Sequence, residues 1–214
     1  HDGREIYHRP CADGAHQDAA YITRADDGTW RLFFGNGGLH CMDVQGKEVW
    51  MRPMPEAQHV IAGPFGSSGE ELLMVLDRGE HNRQAHDRSV LLLFDLDGRE
   101  LWRQEQPEGS WAAAIIDIDW RGDDKCRDIL IYNCGVGKPH AIVNGQGERL
   151  TLFEDIPQVA VDEATMGAYA TRADVWGDRR EEALFFSGDG IHIYANPQPL
   201  AIPTLYNNTL YPGM

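Results

Sequence analysis

The chain has 214 residues, 42% hydrophobic and 25% charged, which is enough apolar material for a large buried core in one or two domains. Its 34 acidic and 19 basic side chains give a net charge of −15, an excess that repels polyanions and argues against nucleic acid as a partner. No apolar run approaches the length of a membrane span, and no signal-peptide core stands near His1.

In chain order, the first stretch with a pattern is DGREIYHR (Asp2–Arg9), a near duplicate of DGRELWRQ (Asp97–Gln104). Residues 1–9 therefore read as the last strand of a unit whose earlier strands are absent, as in a fragment of a larger repeat protein. Four degenerate units follow. The first (10–55) carries AYITRADDGTWRLFFG (Ala20–Gly35) and then LHCMDVQGKEVWMRP (Leu39–Pro53). The second (56–107) carries VIAGPFGSSGEELLMVLD (Val60–Asp77) and LLLFDLDGRELWRQE (Leu91–Glu105). The third (108–157) carries SWAAAIIDIDWRGDDKCRDILIY (Ser110–Tyr132) and AIVNGQGERLTLFE (Ala141–Glu154). The fourth (158–200) carries AYATRADVWGDRREEALFFS (Ala168–Ser187) and IHIYANPQPLAI (Ile191–Ile202), with 201–214 left as a tail.

Each unit reads as strand, Gly/Asp turn, strand, apolar run, tight turn, strand, at a spacing of roughly forty to fifty-six residues. Four short strands per unit at that period predict an all-β chain, a β-propeller of four-stranded antiparallel blades: about four blades plus the orphan strand. A β-sandwich of unrelated hairpins is the competing architecture; the kept order of motifs within every unit favours the propeller. Cys11, Cys41, Cys126 and Cys134 show no CxxC spacing. Cys41 lies in an apolar strand, and Cys126 and Cys134 flank one strand at opposite ends, so neither suggests a bridge or fixes a compartment.

Antiparallel connectivity sends the fourth-to-first and second-to-third connections of every unit to one face. That face collects His16, His59, His81, His86, His140, Arg78, Arg83, Arg88 and Lys138, with Trp111 at the entrance of the third unit. An acidic chain that concentrates cations and imidazoles on one loop face is suited to an anionic ligand. His16 and His59 directly precede first strands, where side chains line a central axis, and Trp111 offers a platform for a sugar ring. Arg83 and Lys138 are the carboxylate partners by reach and charge, with Arg78, His81 and His140 beside them. Asp117, Asp119 and Asp123 hint at a calcium loop, although Arg121 stands where a further oxygen ligand is expected. Glu71, Asp128 and Glu182, near the turns, are expected to tie them to backbone amides.

HQDAAYI, the strand–GD–EE–strand units, GKPHAIVNGQGERL and above all DVWGDRREEALFFSGDGIHIYANPQPLAIPTLYNNTLYPGM resemble the C-terminal region of bacterial β-propeller polysaccharide lyases, nearest the rhamnogalacturonan lyases. The single-unit motifs are shared with non-catalytic FG-GAP-like propellers; the closing segment is the most specific part. The resemblance implies an acidic polysaccharide or oligosaccharide containing rhamnose and a uronic acid, cleavage by β-elimination, and Ca2+ as a cofactor. The family's DxDxDG loop is not intact here. A polysaccharide-active chain would work outside the cell or in the periplasm; one processing imported oligosaccharides would work in the cytoplasm. β-Elimination needs the C6 carboxylate neutralised, the C5 proton removed and the C4 oxygen assisted in leaving. His16 or His59 is the expected base, Arg83 and Lys138 the neutralisers, Trp111 the stacking surface, and Tyr169 or Tyr206 the acid. The rival classes are a non-catalytic glycan- or protein-binding propeller and a glycoside hydrolase drawing on Asp13, Asp18, Glu56 or Glu108.

Overall fold

The apolar runs of the second and third units, ELLMVLD, VLLLF and DILIYN, are nearly continuous, and a strand of that kind must be covered on both faces. The computed structural model describes residues 3–5, 8, 19–25, 27–79, 87–123, 125–134, 140–156, 159–160, 166–188 and 190–200. The described chain is all-β, built of antiparallel sheets, with a single 3-10 turn at Ser110–Ala112 as its helical content.

The first sheet runs in chain order through β1 (Ala19–Arg24), β2 (Trp30–Asn36), β3 (Gly38–Asp43) and β4 (Glu48–Pro53). The second repeats the meander with β5 (Ala57–Pro64), β6 (Glu71–Asp77), β7 (Val90–Phe94) and β8 (Glu100–Glu105). The third follows with β9 (Ala113–Ile118), β10 (Asp128–Asn133), β11 (Ala141–Val143) and β12 (Arg149–Leu152). A two-stranded ribbon, β13 (Val159–Ala160) with β14 (Met166–Gly167), precedes a three-stranded sheet of β15 (Tyr169–Ala173), β16 (Glu182–Ser187) and β17 (Gly190–Tyr194).

The side-chain alternation of each strand sorts residues between neighbouring sheets. Leu73, Val75, Leu92 and Phe94 of the second sheet pack with Phe33, Leu39 and Cys41 of the first. The intervening Met74, Leu76, Leu91 and Leu93 point the other way and pack with Ile115, Ile129, Ile131 and Val143 of the third. Leu130 and Ile142 in turn face Ala170, Ala183 and Phe185 of the fourth. The leading strands come closest: β5 packs on β1 and β2, β9 on β5 and β6, and β15 on β10. The last strands, β4, β8 and β12, are mostly exposed, and their charged side chains protect an open edge.

The tight turns explain why the units look alike in sequence. Asp43, Asp95 and Asn144 each accept the backbone N–H two residues on through Oδ1, at 3.0, 3.1 and 3.0 Å. Gly46, Gly98 and Gly147 then take left-handed φ values of 74°, 80° and 79°, closing each turn with a register shift in the following pair. Two of the turn-flanking carboxylates have other partners than the expected amides. Glu182 does accept the Val175 N–H at 2.7 Å, but Glu71 accepts from the Thr23 hydroxyl at 2.6 Å and Asp128 pairs with Arg121 at 2.8 Å.

Close approach of backbone between sheets generates a first prediction. A Cβ at Gly35 would lie 1.8 Å from the Ala57 carbonyl oxygen, and one at Gly145 would lie 1.8 Å from that of Phe65. Gly35→Ala or Gly145→Ala should each lower stability by about 3 kcal/mol in urea unfolding, because rigid backbone has to shift. A loss below about 1 kcal/mol would mean that the sheets sit farther apart than described.

A second prediction concerns pH. Burial pushes the Asp128 carboxyl up from its ordinary value to about 6 against the opposing pull of the Arg121 guanidinium. Its side chain is 1% exposed. The folded state therefore binds this proton more tightly than the unfolded state. The linked stabilisation is complete below the unfolded value of 3.8 and is lost as pH rises through about 6. In Asp128→Asn this slope should be absent, so wild type should lose on the order of 3 kcal/mol relative to the variant between pH 3.5 and 7.5. Parallel pH profiles for the two proteins would overturn it.

Candidate functional site

The strand registers place the notable residues at two opposite ends of the sheets. Ala57 pairs with Asp77 at one end of β5–β6, and Ala113 pairs with Asn133 at the same end of β9–β10. His59, Arg78, Trp111 and His140 all lie at or beside this end, whereas Asp117, Asp119 and Asp123 lie toward the other. His16, His81, Arg83 and Lys138, together with Asp13, Asp18, His86 and Tyr206, fall outside the described residues.

At the first end Arg78 is the organising side chain. It leaves β6 and crosses to the third sheet, donating from Nε to the Ala113 carbonyl and from Nη1 to Gln58 Oε1, both at 2.9 Å. His59 is half-buried in β5, just past the irregularity that separates it from Ala57. Trp111 is half-buried in the 3-10 turn that leads into β9. Tyr132 and Cys134 lie at the same end, the Tyr132 ring packed against the core between the third and fourth sheets, and sequence reasoning missed both. Burial pushes the Tyr132 hydroxyl up to about 12 and raises the Cys134 thiol, while the Arg78 charge draws both back down. Burial thus makes the Tyr132 phenol a weaker acid than an ordinary tyrosine. Tyr169, the expected acid, is 44% exposed and stacks on Phe186 with ring centroids 6.0 Å apart.

His140 plays a different part from the one its loop position suggests. It is 2% exposed, its Nδ1 lies 3.4 Å from the Asn133 amide, and its ring meets Phe185 edge-on at 5.5 Å. The residue therefore joins the third sheet to the fourth. Of the carboxylates considered for hydrolysis, Glu56 is 4% exposed and Glu108 forms an exposed pair with Arg88 at 3.8 Å.

At the opposite end a network of ions spans the sheets. Asp117 receives Arg127 Nε at 2.6 Å and Arg172 Nη2 at 2.8 Å. Glu181 pairs with both arginines and accepts the Asp119 backbone N–H at 2.8 Å. Arg127 also donates its amide to the Pro64 carbonyl at 3.1 Å, so the second, third and fourth sheets meet here. The sequence held a faint sign of this: AYITRAD and AYATRAD place Arg24 and Arg172 at matching positions, yet Arg24 turns to its own hairpin, donating to the Gly28 carbonyl at 3.1 Å.

The proposed calcium ligands belong to this end, and their donor set does not fit a cation. Both Asp117 oxygens face guanidinium groups, Asp119 Oδ1 accepts the Gly122 N–H at 2.8 Å, and Asp123 Oδ1 accepts the Lys125 N–H at 2.9 Å. Among the described residues no group of three His, Cys, Asp or Glu side chains is placed to hold a metal. Cys41, Cys126 and Cys134 are free thiols; burial pushes that of Cys41 up to about 11, which leaves it an inert packed group. No helix of the described chain is long and apolar enough to cross a membrane. No known family model matches the chain, and no curated protein is recognisably similar to it.

Proposed function

We propose that the successive sheets are blades of a β-propeller, and that the end carrying Arg78, His59 and Trp111 acts on an acidic polysaccharide of rhamnose and uronate by β-elimination. The blade reading is supported by the meander order of every sheet, by the packing of each sheet on the next, and by the approach of leading strands to one another. The lyase reading rests on the sequence resemblance. The observation that carries it to a site is the placement of a guanidinium, an imidazole and an indole at one end of the sheets.

Each of these groups has a task in the elimination. Arg78 is pinned by two hydrogen bonds and contributes positive charge beside the uronate carboxylate, which opposes the charge that develops there as C5 loses its proton. His59 takes that proton. Tyr169, exposed at the start of β15, donates toward the C4 oxygen as the bond to it breaks. Trp111 supplies a face for a pyranose ring.

The test is incubation with rhamnogalacturonan, following both the absorbance of unsaturated uronide and the appearance of reducing ends. Both should rise together. His59→Ala should lower kcat at least a hundredfold with KM little changed, since a base acts in the transition state. Reducing ends without absorbance would replace the lyase by a hydrolase. Neither signal, with retained binding of the polymer, would leave a non-catalytic glycan-binding propeller.

A further inference from the structure

A tryptophan side chain locks each of the first two sheet junctions in the same way. Trp50 of β4 pairs with Cys41, crosses to the second sheet and donates Nε1–H to the Leu96 carbonyl at 3.1 Å, its ring lying against Gly98. Trp102 of β8 pairs with Leu93, crosses to the third sheet and donates Nε1–H to the Gly145 carbonyl at 3.0 Å, its ring lying near Gly147. In both cases the acceptor is the residue directly after the Asx residue of the turn, Asp95 or Asn144.

The third junction keeps the frame and lacks the indole. Thr151 of β12 pairs with Ile142 immediately before the register shift, the position that Trp50 and Trp102 occupy in their own sheets. The facing turn of the fourth sheet is built on Asn196, whose Oδ1 accepts the Gln198 N–H at 3.0 Å just as Asp95 accepts that of Asp97. In chain position Pro197 corresponds to Leu96 and Gly145, whose carbonyls accept the indole N–H, and Pro199 corresponds to Gly98 and Gly147. Between Thr151 and this turn lies a cavity of 520 Å³, walled by Trp120, Leu150, Pro197 and Pro199 with the arginines Arg121 and Arg180 at its rim. The corresponding groove beside Trp102 measures 390 Å³ with the indole in place.

The walls of the cavity are fixed. Asn196 Nδ2 donates to the Trp120 carbonyl at 2.9 Å, and Arg180 reaches the Gln198 carbonyl while pairing with Asp178. Pro199 has a ring where the other turns have only hydrogen. A Cβ at Gly98 would lie 2.8 Å from the Trp50 ring and one at Gly147 3.5 Å from the Trp102 ring, so a full proline ring crowds an indole tethered at position 151. An untethered ring is free to move outward and stack on the proline faces. We infer that this cavity between the third and fourth sheets is a binding site for a small aromatic ligand of the indole class, its N–H donated to the Pro197 carbonyl as Trp50 and Trp102 donate to theirs.

The probe is indole itself, titrated into the whole chain and followed by backbone amide chemical shifts. Saturable shifts confined to Thr151, Asn196, Gln198 and their neighbours are expected. N-methylindole, which keeps the ring and loses the donor, should bind about tenfold more weakly. The double variant Thr151→Trp/Pro199→Gly rebuilds the arrangement of the other junctions and supplies the ring from within. It should melt higher than wild type and lose indole binding. Thr151→Met, which fills the cavity without altering the turn, should weaken indole at least tenfold and stands in if the double variant does not fold. Absence of saturable shifts in wild type overturns the site, as does equal binding of indole and N-methylindole or undiminished binding by folded Thr151→Met.

Discussion

Burial of the two middle sheets on both faces is the constraint on which the rest depends. Leu73 and Val75 face one way while Met74 and Leu76 face the other, and all four are fully buried. A sheet apolar on both faces is stable only between two others. The second and third sheets meet that need within the chain, each lying between two neighbours. The first packs on the second through one face, and on its other face Phe34, His40 and Met42 are buried as well; the fourth packs on the third. Their outer faces expose Ile22 and Trp30 at one end of the series, and Tyr169, Phe186, Ile191 and Ile193 at the other. The closely spaced leading strands follow from the same demand. Small residues such as Ala57, Ala62, Ala113 and Ala170 sit at these contacts, and Gly35 lets backbone meet backbone.

That constraint also decides what was legible in the sequence. The meander order, the turn chemistry of Asp95-to-Gly98 and its copies, and the all-β content are local properties, and local properties repeat visibly. Partners across sheets are a different matter. Arg127 and Glu181 are 54 residues apart, and Asp119 and Glu181 are 62 apart, so nothing in either neighbourhood announces the pair. The acidic triad around residues 117–123 looked like a ligand loop because the neutralising Arg172 comes from the next sheet. His140 looked like a loop-face group for the same reason: Phe185, which meets its ring, belongs to the fourth sheet. Arg78, by contrast, was placed at the correct end of its strand by connectivity alone, although its two backbone and side-chain acceptors were not foreseeable.

The two ends of the sheets consequently carry their polar groups in different states. At the Asp117 end, two arginines and two carboxylates pair across the third and fourth sheets, with the arginine side chains 28% and 32% exposed. Although Arg127 Nε makes no hydrogen bond despite its closeness to Asp117, the paired charges still fix the relative position of the sheets. At the Arg78 end, a cation is held by two neutral oxygens, Ala113 O and Gln58 Oε1. Those two bonds tie the end of β6 to its own sheet and to the third, and the guanidinium charge opposes the rise that burial gives Tyr132 and Cys134.

The third junction departs from the other two at both of its contacts at once. A Cβ at Gly98 would lie 2.8 Å from the Trp50 ring, whereas one at Gly147 would meet the Trp102 ring at an ordinary 3.5 Å, so the indole alone does not account for the glycine that both turns share. Gly98 and Gly147 also take left-handed φ values of 80° and 79°, which proline cannot adopt. The Asn196 turn must consequently close by a different backbone path while keeping the same Asx hydrogen bond. That junction is held by the Asn196-to-Trp120 hydrogen bond and by Arg180, contacts made from the turn side rather than from the strand. The sheets stay packed through Phe153, Phe185 and Tyr194, whose rings meet edge-on at 4.9 to 5.7 Å. Aromatic packing deeper in the interface thus replaces the indole lock at its rim, and the rim is left open.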